Sequence, residues 1–83
     1  MMFSLVLSSH TQRFLKKTPG RVRLLARIRM LRDDPFPSDM KRVVQRKEKT
    51  FRIRVGQYRV LYVVDHERQE VLIADIDKRS RVY

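Results

Sequence analysis

The most constraining feature of the sequence is an alternating run in its second half. Residues Phe51–Val55 read FRIRV, so apolar and basic side chains would point to opposite faces of a strand. Gly56 and Gln57 follow as a two-residue turn, and a glycine in the first turn position suits a type II′ hairpin. Tyr58–Val64, with the sequence YRVLYVV, returns as the partner strand. The run therefore predicts an antiparallel hairpin with one apolar face and one basic face.

A two-residue turn also fixes which residues of the hairpin face each other. It places Arg54 directly opposite Arg59. Facing like charges destabilise a sheet by up to about 1 kcal/mol, so either this face binds phosphate or its charges are simply solvated. The apolar face, which should meet the helices, comprises Phe51, Ile53, Val55, Tyr58, Val60 and Tyr62; the opposite face comprises Arg52, Arg54, Arg59 and Leu61.

The rest of the chain predicts helices first and further strands last. The predicted elements are a strand at Phe3–Leu7, a helix at His10–Lys17 capped by Ser8 or Ser9, a helix from Pro19 to Arg32, an ambiguous basic segment at Met40–Lys49 in which Val43 and Val44 begin a strand, and a strand at Glu70–Ile76. This order predicts one α+β domain over residues 1–83, with an N-terminal strand and two-helix hairpin packed on a C-terminal antiparallel β-meander.

Two further details concern packing. The second helix carries one apolar stripe of Leu24, Ile28 and Leu31, with Leu25 beside it, and another of Val22, Ala26 and Met30. Two stripes predict two packing partners, the sheet and the first helix; a partner-binding groove is the alternative. In the second hairpin, symmetric closure of the loop Asp65–Gln69 would pair Val64 with Glu70 and Arg59 with Asp75, so that Asp75 orients Arg59.

Composition limits the function classes. The chain has 20 Lys and Arg against 9 Asp and Glu, a net charge of +11, which indicates a polyanionic partner such as nucleic acid, the ribosome or an acidic protein. It has no cysteine and only two histidines, His10 and His66, so a thiolate nucleophile, a disulfide framework and a Cys- or His-rich metal site are excluded. No apolar run approaches the roughly 20 residues of a membrane span, and no signal peptide is recognised, so we expect a cytoplasmic protein.

The run FRIRVGQYRVLYVVD, followed by VLIADIDKRSRVY, resembles the C-terminal half of RelE toxins of the RelE/ParE superfamily, particularly the short archaeal type. The order of elements extends this resemblance over nearly the whole chain. Its most specific part is the G-x-Y-R-V-L-Y hairpin followed downstream by K-R-x-x-x-Y. The resemblance implies a RelE-like fold and the toxin of a type II toxin–antitoxin system.

RelE toxins are ribosome-dependent mRNA interferases, so the resemblance also implies a reaction. The toxin enters the ribosomal A site, where the ribose 2′-OH attacks the adjacent phosphate without a metal or cofactor. By position, Arg59 and Arg79 would stabilise the transition state and leaving group, and Tyr83 would stack on or orient a base. Arg52 and Arg54 would contact the phosphate and the 2′-OH. Lys78, Arg81, Arg23 and Arg27 are candidate RNA or ribosome contacts, with solvated surface charge as the alternative.

The resemblance further implies a RelB-like antitoxin as a separate chain and a toxin–antitoxin heterotetramer. One departure matters: better-known bacterial toxins carry Lys where this chain has Arg52 and Arg54, and arginine stays protonated, so neither can serve as general base. Tyr83 is one candidate base, and catalysis by orientation and electrostatics alone is the other. Two other functions stay open, namely ParE-like inhibition of DNA gyrase and a catalytically weak RNA-binding relative.

Overall fold

The computed structural model describes residues 2–44 and 46–78, which form two helices packed on a five-stranded mixed sheet. The elements are β1 (Ser4–Leu7), α1 (Ser9–Lys17), α2 (Arg21–Met30), β2 (Lys41–Val43), β3 (Thr50–Val55), β4 (Tyr58–Asp65) and β5 (Glu70–Lys78). The sheet order is β1-β5-β4-β3-β2, with β1 parallel to β5 and the other neighbours antiparallel. The predicted α+β class is confirmed. Neither α1 nor α2 has the length and apolarity needed to cross a membrane.

Local sequence signals explain both helix starts. Ser8 is the N-cap of α1, and its hydroxyl accepts a hydrogen bond from the Thr11 backbone N–H at 3.2 Å. Gly20 precedes α2 with φ of +78°, a conformation that glycine adopts without steric cost. The second helix is therefore shorter than the predicted Pro19–Arg32 range, since Pro19 stays outside it and residues 31–33 form a turn.

The core lies between the helices and the apolar face of the sheet. Leu24, Ile28 and Leu31 are at most 1% exposed, which confirms the first stripe of α2. They pack in one cluster with sheet residues that include Ile53 and Tyr62. The predicted apolar face of the hairpin is thus the face that meets the helices.

The second stripe of α2 does not pack, so the prediction of two packing partners is wrong. Val22 is 77% exposed and Met30 59% exposed, and Ala26 between them is exposed as well. The reason is that α1 lies over β5 while α2 lies over β3, so each helix reaches the sheet directly and α2 needs only one apolar face. The opposite side of α2 is left as an exposed apolar row.

The first hairpin has the predicted geometry. Gly56 has φ of +61° and Gln57 does not have a positive φ, the combination of a type II′ turn. Arg54 lies opposite Arg59, and Val55 opposite Tyr58. Local turn chemistry therefore sets the register of β3 and β4.

The second hairpin differs from the prediction in two places. Asp65, not Val64, pairs with Glu70, because the loop has one residue fewer than expected and the Asp65 carboxylate accepts the Arg68 N–H within it. A β-bulge between Leu61 and Tyr62 then shifts the register again. Together these changes place Asp77, not Asp75, opposite Arg59.

Contacts with the start of α1 hold the bulge. The register passes from Tyr62–Ile73 to Leu61–Asp75, which leaves Ala74 as the extra residue. The Thr11 hydroxyl donates to the Ile73 carbonyl at 3.2 Å, and the Ser8 hydroxyl lies 3.3 Å from the Ala74 carbonyl. Carbonyl groups that leave the ladder at a bulge thus find partners on α1 and its cap.

Candidate nucleic-acid interface

The predicted basic face is formed on the side of the sheet away from the helices. Arg52 and Arg54 alternate on β3 with buried core residues, and Arg59 does the same on β4. Arg54 is exposed, whereas Arg52 and Arg59 are half-buried. This basic face presents three guanidinium groups, the side chain best suited to phosphate recognition.

A groove follows the basic face in two adjoining parts. One part has a volume of about 450 Å³ and the other about 410 Å³. Arg52 lines both parts, so we treat them as one surface, the basic groove. Its lining residues are Val43, Val44, Arg46, Arg52, Arg59, Leu61 and Asp77 in the first part and Asp39, Lys41, Arg52 and Arg54 in the second. Five cations and two carboxylates line it among the described residues, so the basic groove attracts anions.

Lys41 and Arg46 were missed from the sequence as groove residues. Lys41 lies on β2 opposite Arg52, and Arg46 lies in the segment that follows β2. The available signal was the basic composition of Met40–Lys49. That signal could not assign a face, because the register of β2 on β3 depends on no short turn.

Arg59 is held in the groove by Asp77. The Arg59 Nε donates to Oδ1 of Asp77 and its Nη2 donates to Oδ2, both at 2.9 Å. The predicted Arg59–Asp75 pair is therefore wrong, for the register reasons given above. Asp75 instead meets His10, with Nε2 and Oδ1 3.1 Å apart.

Two predicted contacts on α2 do not line the groove. Arg27 forms an ion pair with Asp39 at 2.6 Å. Asp39 lines the groove, whereas Arg27 does not. Arg23 is exposed and lines a separate cavity of about 210 Å³ beside Gly56 and Tyr58. Arg27 thus has a local structural role, and Arg23 lies at the turn end of the hairpin.

The C-terminal candidates divide into one described residue and three others. Lys78 is the exposed last residue of β5 and pairs with Tyr58, a register position that belongs to the helix side of the sheet. Arg79, Arg81 and Tyr83 lie outside the described residues.

The described histidines and the buried tyrosine have partners elsewhere. The His66 ring stacks on Phe36, with 5.7 Å between centroids, at the end of β4 far from Gly56. The Tyr62 hydroxyl donates to the Pro35 carbonyl at 2.8 Å, and burial raises the pKa of Tyr62 from 10.0 to about 12, against a smaller effect of Arg27. Within residues 2–44 and 46–78, no histidine lines the basic groove.

Comparisons with known proteins agree with this fold. The archaeal RelE–RelB complex from Pyrococcus horikoshii OT3 matches with a TM-score of 0.84 and 23% identity, covering 99% of this chain and 100% of that chain. The intact RelBE toxin–antitoxin complex of E. coli matches with a TM-score of 0.77 and 17% identity, covering 95% and 99%. At these identities the likeness shows the fold, and the predicted RelE-like architecture is confirmed.

Closer sequence likeness comes from two other comparisons. The toxin–antitoxin complex RelBE2 from Mycobacterium tuberculosis matches with 28% identity and a TM-score of 0.74, covering 95% of this chain and 100% of that chain. Comparison with curated protein sequences gives no significant match. A family model described as the ParE toxin of type II toxin-antitoxin systems, parDE, matches residues 9–83. With most of its length matched in this way, the chain belongs to the ParE toxin family of type II toxin–antitoxin systems, within the RelE/ParE superfamily.

Proposed function

We propose that this type II toxin is a ribosome-dependent mRNA interferase that cleaves mRNA in the ribosomal A site. The observation that carries the proposal is the presence of Arg52, Arg54 and Arg59 together on one open face, along a groove with net positive charge. A single-stranded RNA backbone is the polyanion that such a surface fits, because each phosphate can accept hydrogen bonds from a guanidinium group.

The chemistry requires little from the protein beyond placed charge. The ribose 2′-OH attacks the adjacent phosphorus, the bond to the 5′-oxygen of the next nucleotide breaks, and a 2′,3′-cyclic phosphate remains. Negative charge grows on the phosphate oxygens and on the leaving oxygen, where preorganised cations stabilise the transition state. We assign Arg59 to this role, with Arg79 and Tyr83 as further candidates in the C-terminal tail, and Arg52 and Arg54 to the phosphate and the 2′-OH.

The carboxylates of Asp39 and Asp77 are the possible acceptors for the 2′-OH proton among the described groove residues, and each is paired with an arginine. Arg52 and Arg54 stay protonated, and His10 and His66 lie away from the groove. We therefore propose that cleavage depends mainly on orientation and electrostatics, with geometry supplied by the ribosome.

The test is cleavage of mRNA on programmed ribosomes, with the cut ends mapped by primer extension. We expect cuts at A-site codons with ribosomes and none on naked mRNA. Arg59→Ala should abolish the cuts. Arg68→Ala is the matched control, since it removes the same charge from an exposed loop residue whose nearest carboxylate is 3.9 Å away. Uncut mRNA with folded toxin and intact ribosomes would contradict the proposal.

The second candidate function is inhibition of DNA gyrase. The observation in its favour is that the matching family model is the ParE one. A gyrase inhibitor would reduce plasmid supercoiling and leave mRNA intact, whereas a catalytically weak RNA-binding relative would leave both supercoiling and mRNA unchanged. The basic groove favours the interferase, because gyrase inhibition needs no row of arginines placed for a phosphate.

The proposed partner is a RelB-like antitoxin, a separate chain, in a toxin–antitoxin heterotetramer in the cytoplasm. The support is that the structural neighbours from P. horikoshii, E. coli and M. tuberculosis are RelE–RelB, RelBE or RelBE2 complexes. On this chain we assign one contact to the exposed row of Val22, Ala26 and Met30. Arg21 and Arg29 are exposed on the same helix, so the row suits an amphipathic segment with acidic flanks.

A further inference from the structure

We propose that Asp77 is a positioning residue that orients Arg59 toward the scissile phosphate, an inference that rests on the proposed function. The carboxylate takes the side of the guanidinium, with one oxygen on Nε and the other on Nη2, both at 2.9 Å. Two parallel hydrogen bonds of this kind fix the plane and direction of an arginine side chain.

The β-bulge helps to place Asp77 opposite Arg59. Simple closure of the second hairpin would place Asp75 opposite Arg59, but the shorter loop and the extra residue at Ala74 each shift the register by one and together bring Asp77 there. The bulge is in turn held by Thr11 and Ser8 at the start of α1. The Arg59–Asp77 pair between β4 and β5 thus depends on contacts that β5 makes with residues near the N-terminus.

The Asp77 carboxylate should weaken the binding of RNA to the basic groove. Asp77 lines the same part of the basic groove as Arg46 and Arg52, where it repels a phosphate. Its charge therefore lowers binding of the ground state, while the fixed guanidinium serves the transition state. Positioning predicts an unusual separation of effects, in which loss of the carboxylate strengthens RNA binding and slows the chemical step.

Positioning also fits better than a role as general base. Both carboxylate oxygens of Asp77 accept hydrogen bonds from Arg59, which directs the carboxylate at the guanidinium. An Asp77 base would have to give up the pair that holds Arg59. The two roles differ in how the rate depends on pH, which provides a direct discrimination.

The experiment compares Asp77→Asn with Asp75→Asn. Asp75 is the matched control, because it lies two residues away on β5 and contacts His10 instead of an arginine. Its substitution by Asn removes the same negative charge. Cleavage of A-site mRNA is measured under single-turnover conditions over a range of toxin concentrations. For Asp77→Asn we expect a maximal rate about ten- to a hundredfold lower, with half-saturation at lower toxin concentration. Asp77→Glu should recover part of the rate, and Asp75→Asn should resemble wild type.

A binding measurement tests the same pair without cleavage. The probe is a short single-stranded RNA with a 2′-O-methyl group at every ribose, which removes the nucleophile. Because the Asp77 charge offsets one of the cations of the basic groove, Asp77→Asn raises the net positive charge of the groove by one. The plot of log affinity against log salt concentration should then become steeper by about 0.7, and Asp75→Asn should leave it unchanged.

The remaining outcomes overturn the proposal. Equal effects of Asp77→Asn and Asp75→Asn would reduce Asp77 to general surface charge, and a faster maximal rate in Asp77→Asn would make it an inhibitor. Loss of the acidic limb of the pH–rate profile in Asp77→Asn would make it the base, whereas positioning predicts a profile of unchanged shape. If wild-type toxin cleaves no mRNA, the proposed function fails, and the salt dependence of RNA binding alone decides whether Asp77 controls how Arg59 meets phosphate.

Discussion

Arg54 and Arg59 lie directly opposite each other in the ladder between β3 and β4. The two side chains have different surroundings. Arg54 is exposed, whereas Arg59 is half-buried and hydrogen-bonded to Asp77. Two facing guanidinium groups cost the free chain stability and increase its attraction for a bridging anion.

Arg54→Gln should stabilise the chain by a few tenths of a kcal/mol up to about 1 kcal/mol, because it removes one of two facing like charges. Arg42→Gln is the control, since the exposed Arg42 on β2 faces Phe51 and its loss relieves no such repulsion. Thermal unfolding at low and high salt measures both variants. The difference should shrink in high salt, where exposed charges are screened. Equal stabilisation by the two variants would show that overall net charge, and not the facing pair, is responsible.

Tyr62→Phe should destabilise the chain by about 1–2 kcal/mol, because the buried Pro35 carbonyl loses its donor. Tyr58→Phe is the control, since its hydroxyl lies 3.5 Å from the Pro19 carbonyl in an exposed position. Chemical denaturation with urea gives both free energies of unfolding. A Tyr62→Phe variant as stable as Tyr58→Phe would show that the hydrogen bond from Tyr62 to the Pro35 carbonyl does not stabilise the core.

The stability of the chain should fall at alkaline pH because of the same tyrosine. The pKa of Tyr62 is raised to about 12 in the folded state from 10.0. A raised pKa means that the folded state keeps the Tyr62 proton to a higher pH than the unfolded state does. The contribution of this tyrosine to the free energy of unfolding is therefore full below pH 10 and is lost as the pH rises toward 12. Unfolding measured between pH 9 and about 11.5 should show this decline in wild type and less of it in Tyr62→Phe. Parallel curves for the two proteins would contradict the assignment.

Val22→Glu should weaken antitoxin binding by at least about tenfold and leave RNA cleavage unchanged. The substitution places a negative charge in the exposed apolar row of α2, where an acidic segment is proposed to dock. Ser38→Glu, in an exposed loop, makes the same charge change and should bind normally. Titration calorimetry with the cognate antitoxin measures the affinities. Normal binding of Val22→Glu would move the antitoxin contact away from α2.

The sequence predicted the hairpin of β3 and β4 in full because every determinant is local. Gly56 sets the turn, the turn sets the register, and alternation then assigns Arg52, Arg54 and Arg59 to one face. The same reasoning failed on the next hairpin. There the loop is one residue shorter than expected, and the register beyond it depends on a bulge whose carbonyl groups bond to Ser8 and Thr11, more than 60 residues earlier in the chain.

The groove was only partly predictable for a related reason. Lys41 and Asp77 enter it through strand pairings that no short turn specifies. The exposed row on α2 was predicted to pack because its spacing matches a buried stripe. Spacing shows that a face is apolar, but the positions of α1 and α2 on different strands decide whether anything covers it.

The central claim is that the basic groove cleaves mRNA through Arg59. The most direct test is primer extension on ribosomes programmed with a defined mRNA, using wild type, Arg59→Ala and Arg68→Ala in parallel. The account predicts A-site cuts by wild type and Arg68→Ala, and none by Arg59→Ala, with all three proteins equally folded. Cuts by Arg59→Ala at the wild-type rate would contradict the role of the groove, and intact mRNA with reduced gyrase supercoiling by wild type would replace the interferase with the gyrase inhibitor.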